Sequence, residues 1–451
     1  MNDFNLTDNQ KKQQLTLKTL ISVFLIFAFT VISVGGVSTF PANLRMPLIV
    51  TSGVITGAFI LFKRKKVFLT MPVVLMLLTV VYLFISMSYT IDQSTTLELA
   101  IVYLCSSTLL IADYPESLFE KTITAMKIVC IIIAFSIIFS SFIDNLMLDY
   151  FWFIINPTRN PEVNTFITQE INWSGSYSGF AREKGEAAFI MNVGISIYLA
   201  KYFTEKKFRV SDIFFLLIMF WALILTSKRM LFLTPIATVC ILLLISKKKG
   251  RFIKILPVAL LALCGIVVIG SAVPQFSHLF ERFMDTNSMD KLSGRVYLWP
   301  YCFEMFGKNP LFGMGIGTFN KYLYNNNVMI NGEYWTHHGH NIYYEFLGEL
   351  GVVGCVLLFG SLLMFLYRTV ILMRSNETNS SQKYLLTFSC AIQIICLIYC
   401  ASGNVLLFPQ QIFPWFICLA ITTTISNKFR RKNLDKSTHK SRSFWHNSIS
   451  C

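Results

Sequence analysis

The stretch HHGHNIYYEFLGELGVVGCVLLFGSLLMFLY (337–367) changes character part-way along. Its head holds His337, His338 and His340, three of the six histidines in the chain. From Leu350 to Tyr367 it carries no charged residue. About 20 apolar residues suffice to cross a bilayer as a helix. The stretch therefore reads as a polar, histidine-bearing loop that meets a membrane span.

The same reading extends in both directions. Apolar runs at 17–37, 45–62, 67–88, 97–112, 122–143, 186–203, 210–226, 230–246, 252–272, 384–402 and 405–426 join the run at 343–367, giving twelve expected spans. Of the 451 residues, 54% are hydrophobic and 14% charged. A soluble protein carries nearer a quarter charged residues. Lipid offers no partner for an unpaired backbone group, so these runs must be helices. Nothing shows the in–out alternation of a β-barrel. The first run follows a polar, lysine-bearing head and is long for the apolar core of a cleaved leader, so it reads as a retained span. The expected fold is an all-α integral membrane protein with about 12 transmembrane helices and two long extracytoplasmic loops. Its expected segments are N-terminal membrane helices (1–143), a loop (144–185), central helices (186–272), a larger catalytic loop (273–342), C-terminal helices (343–427) and a cytoplasmic tail (428–451).

The net charge of +15 raises nucleic acid as a partner, but its distribution argues against one. With the N-terminus in the cytoplasm, twelve spans place KRKK (63–66), KYFTEKKFR (201–209), KKKGRFIK (247–254) and KFRRK (428–432) on the inner side. That is the positive-inside pattern, and it sets both termini in the cytoplasm of a multi-pass cell-membrane protein. Most of the eleven cysteines fall inside spans, where they behave as small apolar residues, and no pair has zinc spacing. Ionisable residues are nearly absent from span centres. Lys127, Glu186, Asp212 and Glu345 lie close to expected ends. Ion-coupled transporters keep such groups near the midplane, so the chemistry is expected at the outer surface.

Four groups of outer residues are candidates. Lys228 and Arg229 sit in the short outer turn of LTSKRMLFLTP (225–235), against the positive-inside bias. They read either as a snorkelling pair or as an anion site at the membrane surface. Arg295 opens SGRVYLWPYCFEMFGKNPLFGMGIGTF (293–319), whose first part is helical with Val296, Trp299, Phe303 and Phe306 on one face. Pro310 ends that pattern, and Gly313, Gly315 and Gly317 permit a tight turn. A phosphate loop is disfavoured, because no Lys-Ser/Thr follows and no βαβ context surrounds it. The three histidines lack the converging ligands of a metal site. A neutral imidazole suits a general base, and His340 is best placed for it, with Asn341 able to cap the helix that follows. Glu345 and Glu349 lie on the same helix, where either could orient a histidine or bind substrate hydroxyls and Glu345 could equally just favour the positive helix start; His337 and His338 are alternative bases.

HNIYYEFLGELGVVG (340–354) has the form His-Asn, nine residues, then Gly-x-x-Gly, through His340, Asn341, Gly351 and Gly354. It resembles the signature of the O-antigen ligase and O-antigen polymerase superfamily. The 293–319 stretch, TSKRMLFLTP (226–235) and SGFAREKGEAAFIMN (178–192) are similar to that family's further motifs, in the same order. The resemblance implies a lipid-dependent, C-type glycosyltransferase-like protein, acting in lipopolysaccharide or capsule synthesis. Its donor would be a glycan on undecaprenyl diphosphate and its acceptor a sugar hydroxyl on another glycan, with inversion and without metal or cofactor. It places the catalytic histidine at His340 and the donor-binding arginines at Arg229 and Arg295. Lys228, Arg182 and Asn341 join the substrate-binding set, and Arg159 is a weaker candidate. A polymerase of repeat units is favoured over a ligase, and a flippase of the same lipid-linked glycan is the third reading. The partners so implied are the lipid-linked donor, the acceptor glycan, membrane lipid, and chain-length regulator and flippase proteins, with no nucleic acid.

Overall fold

A computed structural model describes residues 8–35, 42–63, 69–143, 145–156, 159–204, 209–246, 297–330, 333–334 and 338–447. Arg295, His337 and the expected span at 252–272 lie outside the described residues. The chain starts with helices α1 (Asp8–Val34), α2 (Ala42–Lys63), α3 (Met71–Ser86), α4 (Gln93–Ile111) and α5 (Glu116–Phe142). Short helices α6 (Leu146–Asp149) and α7 (Trp152–Ile155) and the longer α8 (Pro161–Ser174) fill the first expected loop. Next come α9 (Lys184–Thr204), α10 (Val210–Leu225) and α11 (Arg229–Ile245). The second loop holds α12 (Trp299–Lys308), α13 (Phe319–Asn325) and a hairpin pairing Met329–Ile330 with Glu333–Tyr334. The chain closes with α14 (Ile342–Arg374), α15 (Ser380–Tyr399) and α16 (Pro409–Asn447).

Six of these helices are long and apolar enough to cross a membrane, and five shorter apolar helices accompany them. The architecture is that of a multi-pass membrane protein. The span expected at 97–112 is realised as α4, started by Asp92, whose side chain accepts from the Thr95 backbone N–H. Residues Gly185 to Ala200 of α9 are buried all round. A helix apolar on every face belongs at the centre of a bundle. By contrast, Leu363, Tyr367 and Ile371 on α14 and Leu78, Val81 and Ile85 on α3 are exposed apolar side chains, as a lipid-facing surface requires.

The helices alternate in direction. At one end, Glu116 at the start of α5 accepts from Gln382 of α15 at 2.7 Å and from Lys428 of α16 at 2.8 Å. Arg431 meets Asp113 at 2.6 Å at this same end. Towards the other end of α5, the Ser136 hydroxyl accepts from the Phe180 N–H, just ahead of α9, at 3.0 Å. The start of α9 therefore lies with the finish of α15. There the Ile342 N–H donates to the Cys400 carbonyl at 2.8 Å, which brings the start of α14 to the same end.

α14 is broken near its beginning. Gly351 has φ 61° and ψ −171°, a region open essentially to glycine alone. The 310–315 loop inserts into the break. Val352 and Val353 N–H groups donate to the carbonyls of Pro310 and Leu311, at 2.9 and 3.1 Å. Met314 and Gly315 N–H groups donate to those of Gly348 and Glu349, at 3.1 and 2.8 Å. The Tyr82 hydroxyl of α3 binds the carbonyls of Phe312 (2.5 Å) and Leu350 (2.6 Å). Carbonyls released by a helix break need such partners. Tyr82→Phe is thus expected to cost about 1–3 kcal/mol. A drop in the thermal midpoint of the detergent-solubilised protein reads it out, and an unchanged midpoint contradicts it.

Of the apolar face expected on α12, Val296 lies outside the described residues. Phe303 is exposed, while Cys302 and Met305 are the fully buried residues of α12. Trp299 and Phe303 instead rest against Tyr344 of α14, at 5.3 and 5.1 Å between ring centroids. α16 runs on to Asn447, into the segment expected as a cytoplasmic tail. No proline or glycine follows Pro414 in it, so nothing in the sequence stops the helix.

Candidate active site

The His340 segment is fixed from several sides. Asn341 is the N-cap of α14, its side-chain oxygen accepting from the Tyr343 and Tyr344 N–H groups at 3.1 and 3.3 Å. The Glu345 carboxylate, fully buried, takes two groups of the loop before it. One oxygen meets His338 Nδ1 at 2.7 Å, and the other accepts from the Gly339 N–H at 2.9 Å. The Trp299 indole N–H donates to the Gly339 carbonyl at 3.1 Å. The His338 ring stands edge-on to Phe408, 5.6 Å between centroids. His340 follows with φ 53°, half-buried, its Nδ1 3.4 Å from the Asn404 side-chain amide.

One turn further along α14, Glu349 does for the glycine turn what Glu345 does for the histidines. Its oxygens accept from the Gly317 and Phe319 N–H groups at 2.8 and 2.9 Å. Gly313, Gly315 and Gly317 have φ of 66°, 102° and 75°. Backbone N–H groups in such a turn form a nest for an anion. Here those groups are taken by the protein's own Glu349 carboxyl oxygens, so the turn is a structural clasp and not a phosphate loop. Glu345 thus orients a histidine, as its place on the helix allowed, whereas the sequence did not reveal the clasp made by Glu349.

The basic candidates gather around the starts of α9 and α11. Lys228 is the N-cap of α11 and Arg229 its first residue. The Lys228 ammonium lies against Gly185, 3.4 Å from where a Cβ would stand. Lys184 pairs with Glu170 of α8 at 3.2 Å. Burial pushes the Glu170 carboxyl up from its ordinary value, against the pull of Lys184 and Lys228. Arg182 ends the turn Gly179–Ala181 with φ 66°. Ser227, just before Lys228, has φ 55°. Positive φ at a non-glycine residue is uncommon, and such strained positions gather at functional sites. Arg45 of α2 is buried and pairs with Glu186 of α9 at 2.5 Å. Arg159 lies elsewhere in the loop, its guanidinium 4.1 Å over the Trp152 ring.

The structure thus brings Lys228, Arg229, Arg182, His340 and Asn341 to one end of the bundle. α15 packs against α9, α11 and α14, and its finish lies at that end. Arg45, Glu170, Lys184 and Asn404 were missed. Arg45 and Lys184 carried one usable signal, a cation at an outer helix start. Asn404 carried none, since SGN (402–404) reads as an ordinary turn.

Residues 214–359 match the family model described as O-antigen ligase. They run from α10 through the basic turn, the 293–319 stretch and the His340 segment into α14. The match supports assignment to the O-antigen ligase/polymerase superfamily. That assignment implies a glycosyltransferase-like enzyme. A search of curated proteins gave no match to the chain. The O-antigen ligase match leaves out Asn404, Arg45, Arg182 and α9, which the fold adds to the site.

Proposed function

We propose that the chain polymerises undecaprenyl-diphosphate-linked oligosaccharide repeat units into a surface polysaccharide, on the outer face of the cytoplasmic membrane. The observation that supports this most is a pinned histidine and a basic cluster at one end of the bundle, with His340, Lys228 and Arg229 inside the ligase-type match. A neutral His340 takes the proton from an acceptor sugar hydroxyl. The resulting oxygen attacks the anomeric carbon, the bond from that carbon to the diphosphate breaks, and the configuration inverts. The electron pair leaves on the diphosphate, whose charge Lys228, Arg229, Arg182 and Arg295 stabilise. No nucleotide is needed, because the glycosyl diphosphate carries the energy.

A ligase that moves the finished glycan to a lipid core or another acceptor would use the same groups. The length of the lipid-linked glycan in cells lacking the protein separates the two. Single repeat units on the lipid support the polymerase; long polymer on the lipid overturns it in favour of a ligase. A second base is also favoured by a specific contact. His338 sits 2.7 Å from a buried carboxylate, an arrangement that orients an imidazole.

A further inference from the structure

Asn404 lies in the turn between α15 and α16, 64 positions beyond His340 and outside the matched residues. We propose that it is a positioning residue, which selects the reactive tautomer of His340. The proposal rests on the reading of His340 as the base. Asn404 is 7% exposed, and its side-chain amide nitrogen lies 3.4 Å from His340 Nδ1, with the amide oxygen turned away. The other end of that amide has no hydrogen-bond partner in the protein, among the described residues. An asparagine kept for its turn would bind the turn's own backbone. This side chain meets the imidazole instead.

The turn cannot drift away from the histidine. The Leu407 N–H donates to the Asn404 carbonyl at 3.0 Å and closes it. The Tyr103 hydroxyl of α4 donates to the Leu406 carbonyl at 3.0 Å. The Ile342 N–H of α14 holds Cys400. Asn404 is therefore fixed to the very helix start that carries His340.

A neutral imidazole has one N–H, and the partner of one nitrogen decides where it sits. With its carbonyl towards Nδ1, the amide accepts from Nδ1–H. Nε2 then keeps its lone pair and can take the proton of the acceptor hydroxyl. With its NH2 towards Nδ1, the amide would leave the hydrogen on Nε2, which could then accept nothing. The structure has the NH2 inward, and a half-turn of the amide, which no partner of its oxygen opposes among the described residues, gives the carbonyl-inward arrangement that the chemistry requires. His338 and Glu345 are the other titratable groups of this segment, and the variants below leave both untouched.

The test uses the full-length protein in proteoliposomes. The probe is the lipid-linked oligosaccharide extracted from cells lacking the protein, and the readout is polyprenyl diphosphate released per folded molecule. Asn404→Ala is expected to lower kcat about 100-fold, with KM changed less than about threefold, because the tautomer is no longer held. Asn404→Asp keeps an acceptor for Nδ1–H and restores most of the turnover. Its negative charge favours the imidazolium, so the base stays protonated to higher pH. The acid limb of the pH–rate profile then moves up by about 1 unit. Wild-type kcat in Asn404→Ala, or an unmoved acid limb in Asn404→Asp, overturns the proposal. His340→Asn in the same assay separates the two readings. An inactive His340→Asn beside a fully active Asn404→Ala removes Asn404 alone. A fully active His340→Asn removes the base and, with it, this role of Asn404.

Discussion

Replacing His340 with alanine is expected to lower glycan transfer by roughly 10³-fold while the protein stays in the membrane. General bases contribute about 10²–10⁴-fold to such reactions. Asn341 caps α14, Glu345 holds His338 and Gly339, and Trp299 holds Gly339. None of these contacts uses the His340 side chain, so its removal leaves the segment in place. The backbone at His340 has φ 53°, which alanine adopts reluctantly. His340→Asn is the cleaner variant, since asparagine favours that region. Both variants should be equally inactive. His338→Ala should cost only about 10-fold, through a looser segment. The reverse ranking, with His338→Ala the more damaging, would move the base to His338 and its Glu345 partner.

Gly351→Ala is the second large effect, and it acts on the fold. A Cβ there would lie 2.5 Å from the Leu311 carbonyl carbon and 2.7 Å from the Gly313 nitrogen. The backbone conformation alone costs a non-glycine residue about 1–3 kcal/mol. The clash also separates Val352 and Val353 from their partners on the inserted loop, at about 1 kcal/mol each. A loss of about 3–5 kcal/mol is a large part of the 5–15 kcal/mol that typically holds a protein folded. Gly360→Ala, in the same helix, provides the comparison. A Cβ at Gly360 has only Leu75 nearby, at 3.9 Å. The melting midpoint of the solubilised protein should fall sharply for the first variant and stay for the second. Equal midpoints would contradict the inserted-loop account of the break.

The spans were legible because hydrophobic length is a local property. α4 and α14 follow from their own residues and the thickness of a bilayer. Asn341 as a cap and the glycines as turn formers were legible for the same reason, each being set within a few residues. The break at Gly351 was not. Gly-x-x-G shows a need for bare backbone, but not that residues 310–315 fill the space. Gly354 has a comparable cause that also sits far off in the chain, since a Cβ there would meet the Tyr82 ring at 2.6 Å. Glu345 was legible as a group that could orient a histidine, but the binding of Gly317 and Phe319 by Glu349 depends on a loop that only the fold brings near. The contact of Phe303 with Tyr344 was not legible, because a helical face shows which residues are apolar and not which side meets protein. The match of Arg45 with Glu186, across α2 and α9, has no expression in local pattern at all.

The most direct measurement reconstitutes the purified full-length chain in liposomes with the lipid-linked oligosaccharide from cells lacking it. The glycosidic bonds formed are counted against the polyprenyl diphosphate released. The account predicts one new bond per diphosphate, with inverted configuration, and products longer than one repeat unit. Oligosaccharide that crosses the bilayer still attached to its lipid, with no diphosphate released, would contradict it and identify a transporter.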